Sequence, residues 1–228
     1  MNVIITGAGK GLGFELCNKF LLYNDIHVVA ISRNVSKLKS LACNYQNLHV
    51  LAFDLEKKDY QELIDKLSSL PNNAIDILIN NAGLLIKKAF KDLNTEDARR
   101  MMEVNYLAPF RLIQTLLPYF AATAHIVNIS SMGGFQGSEK FDGLAGYSAS
   151  KAALACLTEC LAGEMQHTNI KTNCLCLGSV QTEMLEQAFP GYQSSVTPGA
   201  MAGFVADFAL NAHKFINGKI IPVALSIP

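Results

Sequence analysis

Tyr147 and Lys151 are the two side chains whose types and spacing most directly suggest chemistry. They stand four residues apart in the segment Gly146 to Lys151, at the start of a predicted helix, so both side chains project from the same face. A free tyrosine has a pKa of about 10, and a neighbouring ammonium favours the phenolate and lowers that pKa. The pair is therefore a sensible acid-base unit.

The spacing alone is weak evidence, because a chain with seven tyrosines should contain about 0.5 such Tyr-Lys pairs by chance. The setting strengthens it. A predicted strand, His125 to Ser130, ends at Ser130-Ser131, and parallel sheets bind ligands at the carboxyl ends of their strands. Side chains alternate along a strand, so only one of these two serines faces the cleft, where it could donate a hydrogen bond to a substrate carbonyl oxygen.

A glycine-rich turn near the N-terminus indicates a phosphate site. Ile4-Ile5-Thr6 leads into Gly7-Ala8-Gly9-Lys10-Gly11-Leu12-Gly13 and then into an apolar-periodic segment, which is the order strand, turn, helix. Glycines let the backbone approach a pyrophosphate, whose charge the N–H groups of a helix N-terminus then meet. The turn fits T-G-x-x-x-G-x-G rather than G-x-G-x-x-G, and it predicts a nicotinamide dinucleotide site. The alternative is a flexible glycine turn without a ligand.

The residues after the second strand favour NADP(H) over NAD(H). That strand ends in Ser32-Arg33, and the sequence has no Asp or Glu between Asp25 and Asp54. A carboxylate there would bond the ribose 2′-hydroxyl of NAD, whereas a cation suits the 2′-phosphate of NADP. Arg33 could make a bidentate contact, and Lys10 could add a second positive charge. Alternatively, Arg33 and the nearby lysines only solvate a surface helix.

Strand-length and helix-length segments alternate along the whole chain. The predicted strands are Asn2 to Thr6, Ile26 to Ile31, Leu48 to Phe53, Ile75 to Asn80, His125 to Ser130, Ile170 to Leu177 and Lys219 to Val223. The predicted helices are Leu12 to Leu22, Ser36 to Cys43, Asp59 to Leu70, Thr95 to Phe120, Ala145 to His167 and Pro198 to Ala212. This order predicts an α/β fold, a doubly wound parallel sheet of the Rossmann type in three αβα layers. We expect one domain over residues 1–228, with a substrate loop at about 183–199.

Composition excludes several classes of protein. Nineteen basic residues balance nineteen acidic ones, so no electrostatic field favours nucleic acid or an anionic membrane. No stretch approaches the roughly 18 apolar residues of a membrane span, and no secretory leader is recognisable. The six cysteines show no metal-ligand spacing. We expect a cytoplasmic protein without a metal site.

The order of these motifs resembles that of the short-chain dehydrogenase/reductase family over essentially the whole chain. The resemblance rests on T-G-x-x-x-G-x-G at Thr6 to Gly13, Asp54 after the third strand, Asn80-Asn81-Ala82-Gly83 after the fourth, Asn105, Ser131, and Tyr147-x-x-x-Lys151.

The resemblance implies a role for each of four residues. Tyr147 would protonate a carbonyl oxygen or deprotonate an alcohol, and Lys151 would hold the nicotinamide ribose and lower the tyrosine pKa. Ser131, rather than Ser130, would polarise the carbonyl. Asn105 would hold a water that relays protons to Lys151. The family thus implies an NADPH-dependent oxidoreductase that interconverts a carbonyl and an alcohol. The alternative is a catalytically weak regulatory or scaffold protein of the same fold.

Further residues are implied at the cofactor. Asp54 would contact the adenine, and Asn81 to Gly83 would support the sheet and line the groove. The alternative for Asn80 to Gly83 is a stabilising turn without direct ligand contact. The full predicted cofactor set is Thr6, Gly7, Gly9, Lys10, Gly11, Leu12, Gly13, Ser32, Arg33, Asp54, Leu55, Asn81, Ala82, Gly83, Tyr147, Lys151, Gly178, Val180 and Thr182.

Two segments depart from the family pattern. Where the family has Pro-Gly after the sixth strand, this chain has Leu177-Gly178, which puts the contacts to the nicotinamide amide in doubt, although Thr182 is still assigned to that amide. The stretch from Ser131 to Tyr147 is also longer than usual, so it could reshape one wall of the substrate site.

The substrate is the least specified feature. Apolar residues follow the sixth strand, namely Met184, Leu185, Ala188, Phe189 and Tyr192. They would suit a partly apolar carbonyl or alcohol compound, or they could be ordinary helix packing. The helices predicted at Thr95 to Phe120 and Ala145 to His167 correspond to those that pair in this family, which implies a homodimer or homotetramer.

Overall fold

Seven strands and eight α-helices alternate along the chain in the computed structural model, which describes residues 1–57, 59–67 and 73–225. The strands are β1 (Asn2–Thr6), β2 (His27–Ser32), β3 (Leu48–Ala52), β4 (Ile75–Asn80), β5 (Phe120–Ser131), β6 (Asn169–Leu177) and β7 (Ile220–Val223). The helices are α1 (Gly11–Phe20), α2 (Ser36–Ala42), α3 (Gln61–Leu67), α4 (Thr95–Met102), α5 (Ala108–Leu116), α6 (Ala145–Glu164), α7 (Glu183–Ala188) and α8 (Pro198–Asn211).

The strands form one parallel sheet in the order β3-β2-β1-β4-β5-β6-β7. The chain runs outward from β1 to β3 on one side and returns to place β4 on the other side of β1. The fold is therefore the expected doubly wound, single-domain sheet. The carboxyl ends of β1 and β4 flank the point where the strand order reverses, and open α/β sheets bind ligands in that crevice.

Both faces of the sheet are covered, because its strands are apolar on both sides. Val3 and Ile5 of β1 pack into a cluster with α1, α2 and α8, whereas Ile4 packs into a second cluster with α3 and α5. All three side chains are fully buried. The expected three-layer arrangement is confirmed, and the rigid sheet fixes the positions of the loops at its carboxyl edge.

The segment predicted as one helix from Thr95 to Phe120 is instead several elements. α4 ends at Met102, a π-helical turn spans Glu103–Leu107, and α5 follows. A 3₁₀ turn, Leu117–Tyr119, then leads into β5, which begins at Phe120. The apolar spacing is helical throughout, so periodicity does not reveal the extra residue of the π turn.

Other element bounds differ by a few residues, as fraying ends do. α6 ends at Glu164 rather than His167, and α3 begins at Gln61 rather than Asp59. The predicted end of that helix at Leu70 lies outside the described residues. The short helix α7 was not predicted and lies inside the expected substrate loop. No helix in the described part of the chain is long and apolar enough to span a membrane.

Candidate active site

A cavity of about 800 Å³ runs along the carboxyl edge of the sheet. It is lined by the glycine-rich turn from Gly7 to Gly13, which we call the phosphate turn, and by the ends of β2 and β3. The turn after β4 and the Tyr147-Lys151 face of α6 complete the lining. Nearly all of the predicted site residues lie in this one cleft. Thr6 and Asn105 are the exceptions, since they are almost completely buried behind its wall.

Close backbone approach requires the glycines of the phosphate turn. Gly7 has a φ of +67°, and a Cβ there would lie 2.7 Å from the Cα of Ala82. A Cβ on Gly13 would lie 2.6 Å from the Asn81 amide nitrogen. The turn after β1 is thus pressed against the turn after β4, which leaves no room for side chains.

Thr6 and Asn81 hold these two turns together. The Thr6 hydroxyl accepts hydrogen bonds from the backbone N–H groups of Asn81 and Ala82, both at 3.0 Å, and the Asn81 amide donates to the Thr6 carbonyl at 2.9 Å. Thr6 is therefore a supporting residue in this structure. The Asn81 side chain likewise stabilises the turn, because it bonds the backbone of Thr6.

The N-terminus of α1 has the features that an anionic ligand needs. Lys10 precedes the helix in an extended conformation and makes no side-chain cap. The first turn itself contains no acidic residue, and its N–H groups and dipole attract a phosphate. The nearest carboxylate comes from α7, where Glu183 approaches Gly11. Together with the glycine cradle, this end fits a pyrophosphate.

The end of the cleft beside β2 and β3 contains an ion pair that the sequence did not suggest. Arg33 lies 3.6 Å from the carboxylate of Glu56, and the two side chains are 67% and 31% exposed. Such an exposed pair contributes little to stability and exchanges partners readily. Glu56 follows β3 rather than β2, so a search for acidic residues just after β2 misses it. Asp54 accepts a hydrogen bond from the Glu56 N–H at 3.1 Å and also lines the cavity.

Two further glycines bring the end of β5 against α6. Ser131 is followed by a 3₁₀ turn, Met132–Gly134. A Cβ on Gly133 would lie 2.8 Å from the Ser148 hydroxyl, and one on Gly134 would lie 2.7 Å from the backbone of α6 at Ala152. Only glycines permit this approach, and it sets Ser131 beside Tyr147.

Ser130 and Ser131 have different surroundings. The Ser130 hydroxyl is buried and donates to the Lys151 carbonyl at 2.8 Å, so it is occupied in holding α6. Ser131 accepts from the Gly133 N–H at 3.2 Å, and its side chain lies near enough to Tyr147 to lower the pKa of that tyrosine. This geometry favours Ser131 as the residue that faces a substrate.

Burial dominates the protonation of the Tyr147-Lys151 pair. It raises the pKa of Tyr147 to about 12, an effect that the hydrogen bond with Ser131 partly opposes. It lowers the pKa of Lys151 to about 8, against the electrostatic influence of Cys174 and Cys176. We expected the Lys151 ammonium to lower the tyrosine pKa, but the influences on that pKa in this structure are burial, which raises it, and Ser131, which lowers it. The Lys151 ammonium donates to the Ile129 carbonyl at 2.8 Å, and Tyr147 stays protonated at neutral pH.

Asn105 lies in the π-helical turn behind Lys151. Its side chain accepts from the Leu84 N–H at 2.7 Å and donates to the Leu84 carbonyl at 2.9 Å and the Ser150 hydroxyl at 2.8 Å. A Cβ on Gly83 would lie 3.4 Å from the Lys151 ammonium and 3.5 Å from the Asn105 side-chain oxygen. Gly83, Asn105 and Lys151 thus lie close together. Asn105 is placed there by the π turn, and such turns often mark functional positions.

The turn after β6 is held by contacts with β7 and the residue after it, although Leu177 stands where the family has a proline. β6 extends through Leu177, which pairs with Val223, and a Cβ on Gly178 would lie 2.9 Å from that of Ala224. Thr182 caps α7 by accepting from the Leu185 N–H, and its methyl group lies near Gly11 of the phosphate turn. Its assignment to the nicotinamide amide therefore stays a prediction.

The wall of the cleft beyond Tyr147 is mainly apolar, although Glu139 and Glu183 also line the cavity. It is formed by residues from the loop after β4, the long segment before α6 and the segment around α7, namely Leu85, Met132, Phe141, Leu144, Met184, Leu185, Phe189 and Tyr192. The long segment between Ser131 and Tyr147 thus contributes Phe141 and Leu144 to this wall. In the described residues, no group of three or more His, Cys, Asp or Glu is arranged to hold a metal.

The comparisons with known proteins agree with this architecture. Residues 1–193 match the family model of the short chain dehydrogenases. An uncharacterized oxidoreductase of Staphylococcus aureus (strain MW2) is 27% identical, and the match covers 96% of this chain and 95% of that protein. An uncharacterized oxidoreductase of Staphylococcus epidermidis is 28% identical over 94% of this chain and 92% of its own length.

Solved structures show the same fold. A 4-hydroxyisoleucine dehydrogenase complexed with NADH is 26% identical, with a TM-score of 0.85 over 98% of this chain and 96% of that one. A structure described as ElxO with NADP bound is also 26% identical, with a TM-score of 0.83 and the same coverage. The glycine turn, the Ser131-Tyr147-Lys151 cluster and the family match together identify the chain as a member of the short-chain dehydrogenase/reductase family, which makes it an oxidoreductase.

Proposed function

We propose that this protein is an NADPH-dependent carbonyl reductase whose proton donor is Tyr147. The observation that carries the proposal is that one continuous cavity joins the phosphate turn to the Ser131-Tyr147-Lys151 cluster. A dinucleotide that spans such a cavity would present its nicotinamide beside Tyr147. The names of the similar solved structures include both NADH and NADP, which supports a nicotinamide dinucleotide in general.

Different residues along the cavity would contact different parts of this cofactor. The backbone from Gly7 to Gly13 would hold the pyrophosphate, and Asp54 with Leu55 would hold the adenine. Lys151 would hold the nicotinamide ribose, and Val180 with Thr182 would contact the nicotinamide. The bound cofactor supplies or accepts the hydride.

The protein's own part in the reaction is to place and protonate the carbonyl oxygen. Ser131 would donate a hydrogen bond to that oxygen and so stabilise the negative charge that develops on it. Tyr147, protonated at neutral pH because burial raises its pKa to about 12, would transfer its hydroxyl proton to the oxygen as the general acid. Lys151 and Asn105 would support the return of a proton to Tyr147.

The preference for NADPH depends on Arg33. A 2′-phosphate would replace the weak ion pair with Glu56 by a charge-assisted contact to the guanidinium. We expect Arg33→Ala to weaken NADPH binding by about 10- to 100-fold and to change NADH binding little, because NADH lacks that phosphate. Cofactor fluorescence titration measures both dissociation constants.

Two further variants serve as controls for Arg33. Lys39→Ala removes an exposed cation from the last turn of the neighbouring helix α2, away from the cavity, and should leave the NADPH affinity unchanged. Glu56→Gln should strengthen NADPH binding, because it removes a carboxylate from beside Arg33. An equal loss of NADPH and NADH affinity in Arg33→Ala would contradict the assigned preference.

The apolar wall around Phe189 suits an uncharged aldehyde or ketone with an apolar body. The decisive experiment is to follow cofactor oxidation with a panel of aldehydes and ketones that differ in size, in the presence of NADPH or NADH. Turnover of apolar members with NADPH supports the proposal. Tight cofactor binding without turnover of any member would instead favour the regulatory or scaffold alternative.

We also propose that the protein forms a homodimer or homotetramer. Large apolar side chains are exposed on and around α5, including Leu107 at 37%, Phe110 at 38% and Leu117 at 41%. A cluster of this kind is typical of an interaction surface. Light scattering coupled to size exclusion at micromolar concentration should give twice or four times the mass of the chain, and a monomeric mass would contradict the proposal.

The thiol content is consistent with a reducing compartment. All six cysteines are free, and three of them are exposed. Exposed thiols persist where glutathione and thioredoxin keep them reduced, so we place the activity in the cytoplasm.

A further inference from the structure

The outer rim of the substrate cleft contains a cation packed on an aromatic ring. The Lys87 ammonium lies 3.8 Å from the centroid of the Phe189 ring. Lys87 lies in the loop after β4, whereas Phe189 directly follows α7, so the contact joins two segments that border the cleft. Lys87 forms no ion pair with any carboxylate in the described residues. The Phe189 ring is therefore the group with which the Lys87 ammonium interacts.

Lys87 also contacts the third loop of the rim. A Cβ on Gly143 would lie 3.1 Å from the Lys87 side-chain stem, and the Lys88 N–H donates to the Gly143 carbonyl at 3.1 Å. Gly143 has a φ of +79°, a conformation that favours glycine. The lysine thus lies between the loop after β4, the long segment before α6, and the segment around α7.

The chain after α7, around Ser194 and Val196, is held by a separate set of hydrogen bonds. The Gln181 N–H donates to the Val196 carbonyl at 2.9 Å, and the Gln181 side chain accepts from the Ser194 N–H at 2.8 Å. The Ser194 hydroxyl donates to the Ser179 carbonyl at 2.8 Å. These bonds attach Ser194 and Val196, which follow α7, to the turn after β6. Phe189 lies in the chain between these attachment points, and its ring contacts Lys87.

We propose that Lys87 is a positioning residue for the substrate pocket, because its ammonium holds the Phe189 ring as the outer wall of the cleft. Phe189 lines the cavity together with Tyr192, whose ring centroid lies 6.5 Å away. A cation over an aromatic face is an attractive and directional contact, and so it restricts where the ring lies. This inference rests on the proposed carbonyl reductase function for its kinetic consequences but not for its structural ones.

The direct test replaces the charge and keeps the length of the side chain. In Lys87→Met we expect faster amide hydrogen exchange across residues 183–196 and a KM for the carbonyl substrate raised about two- to fivefold, which is the size of an exposed cation–π contact. The kcat and the NADPH dissociation constant should stay unchanged, since Lys87 touches neither Tyr147 nor the phosphate turn. Lys87→Arg keeps a cation over the ring and should restore both values.

Lys88→Met is the matched control. Lys88 is adjacent in the chain, but its ammonium pairs with Asp97 on α4 rather than with the α7 segment. Its removal should leave the hydrogen exchange of residues 183–196 and the KM as in the unaltered protein. A change in Lys88→Met as large as that in Lys87→Met would mean that any lysine lost from this loop loosens it, and would overturn the proposal.

A double-mutant cycle with Phe189→Leu tests whether the two residues act together. If the Phe189 ring is what Lys87 holds, Lys87→Met should add nothing to the KM or to the hydrogen exchange in a Phe189→Leu background. Independent, additive effects would overturn the proposal, as would a Lys87→Met protein that matches the unaltered one in both readouts. Hydrogen exchange needs no turnover, so a failed substrate panel would refute the reductase function and still leave this inference tested.

Discussion

Tyr147→Phe should reduce the kcat/KM for carbonyl reduction by about 10²- to 10⁴-fold, the usual contribution of a general acid. The substitution removes one oxygen and keeps the ring, so the packing between α6 and the Met132–Gly134 turn is preserved. The Ser131 hydroxyl keeps its hydrogen bond from Gly133. The NADPH dissociation constant should therefore change less than about twofold, because only the tyrosine hydroxyl is lost and the ring stays in place.

The measurement compares steady-state reduction of the best panel substrate with a fluorescence titration of NADPH. Tyr45→Phe is a suitable control, because this tyrosine packs against the core cluster around α1 and α2 and does not line the cavity. Full activity in Tyr147→Phe with intact NADPH binding would remove Tyr147 from the mechanism. The regulatory or scaffold interpretation would then be favoured.

Lys151→Met should abolish most activity and at the same time stabilise the fold. Lys151 is 3% exposed, and burial lowers its pKa to about 8, which shows that the folded protein pays to keep an ammonium there. Removing the charge should raise the free energy of unfolding at pH 7 by about 2 kcal/mol, once the lost hydrogen bond to the Ile129 carbonyl is allowed for. For a chain of this size that corresponds to a rise in Tm of about 4–8 °C.

The pH dependence of this stability difference identifies its cause. The folded-state pKa of Lys151, about 8, lies below the unfolded value of roughly 10.4, so the unfolded state binds the proton more tightly. The cost of the buried ammonium is complete below pH 8 and disappears as the pH rises to about 10.4. The advantage of Lys151→Met should fade over that window. Thermal unfolding between pH 7 and 10 measures it, and a constant or negative difference would contradict the prediction.

The loss of activity in Lys151→Met has a separate readout. If the lysine holds the nicotinamide ribose, NADPH binding should weaken along with turnover, unlike in Tyr147→Phe. The two variants therefore distinguish a residue that transfers the proton from one that holds the cofactor. A gain in stability together with a loss of function is common when a strained or desolvated group serves a site.

The glycines show how much of this site could be predicted from the sequence. Gly7 and Gly13 lie at positions where the backbone of one turn meets that of another, so their spacing reports a geometric requirement. The same holds for Tyr147 and Lys151, because four residues along a helix bring two side chains to one face. Local rules determine these features, and the strand order predicted from the same rules is confirmed by the sheet, whereas the helix predicted from Thr95 to Phe120 is several elements and α7 was missed.

Features that depend on distant segments could not be predicted in this way. Glu56 reaches Arg33 only because β3 lies beside β2. Lys87 meets Phe189, 102 residues further along the chain, only because their two segments border the same cleft. The raised pKa of Tyr147 depends on how completely the surrounding elements exclude water, and the predicted lowering by Lys151 omitted that cost.

By itself the sequence determined the α/β fold, the glycine-rich turn after β1 and the placement of Tyr147 and Lys151 on one helix face, since each follows from spacing within strands, turns or helices. Only the tertiary structure decided that Ser130 supports α6 while Ser131 faces Tyr147, that Arg33 has an acidic neighbour, and that Lys87 lies over Phe189. The physical reason is that burial, charge pairing and ring contacts are set by which elements the sheet brings together, and no local pattern in the chain encodes those distances.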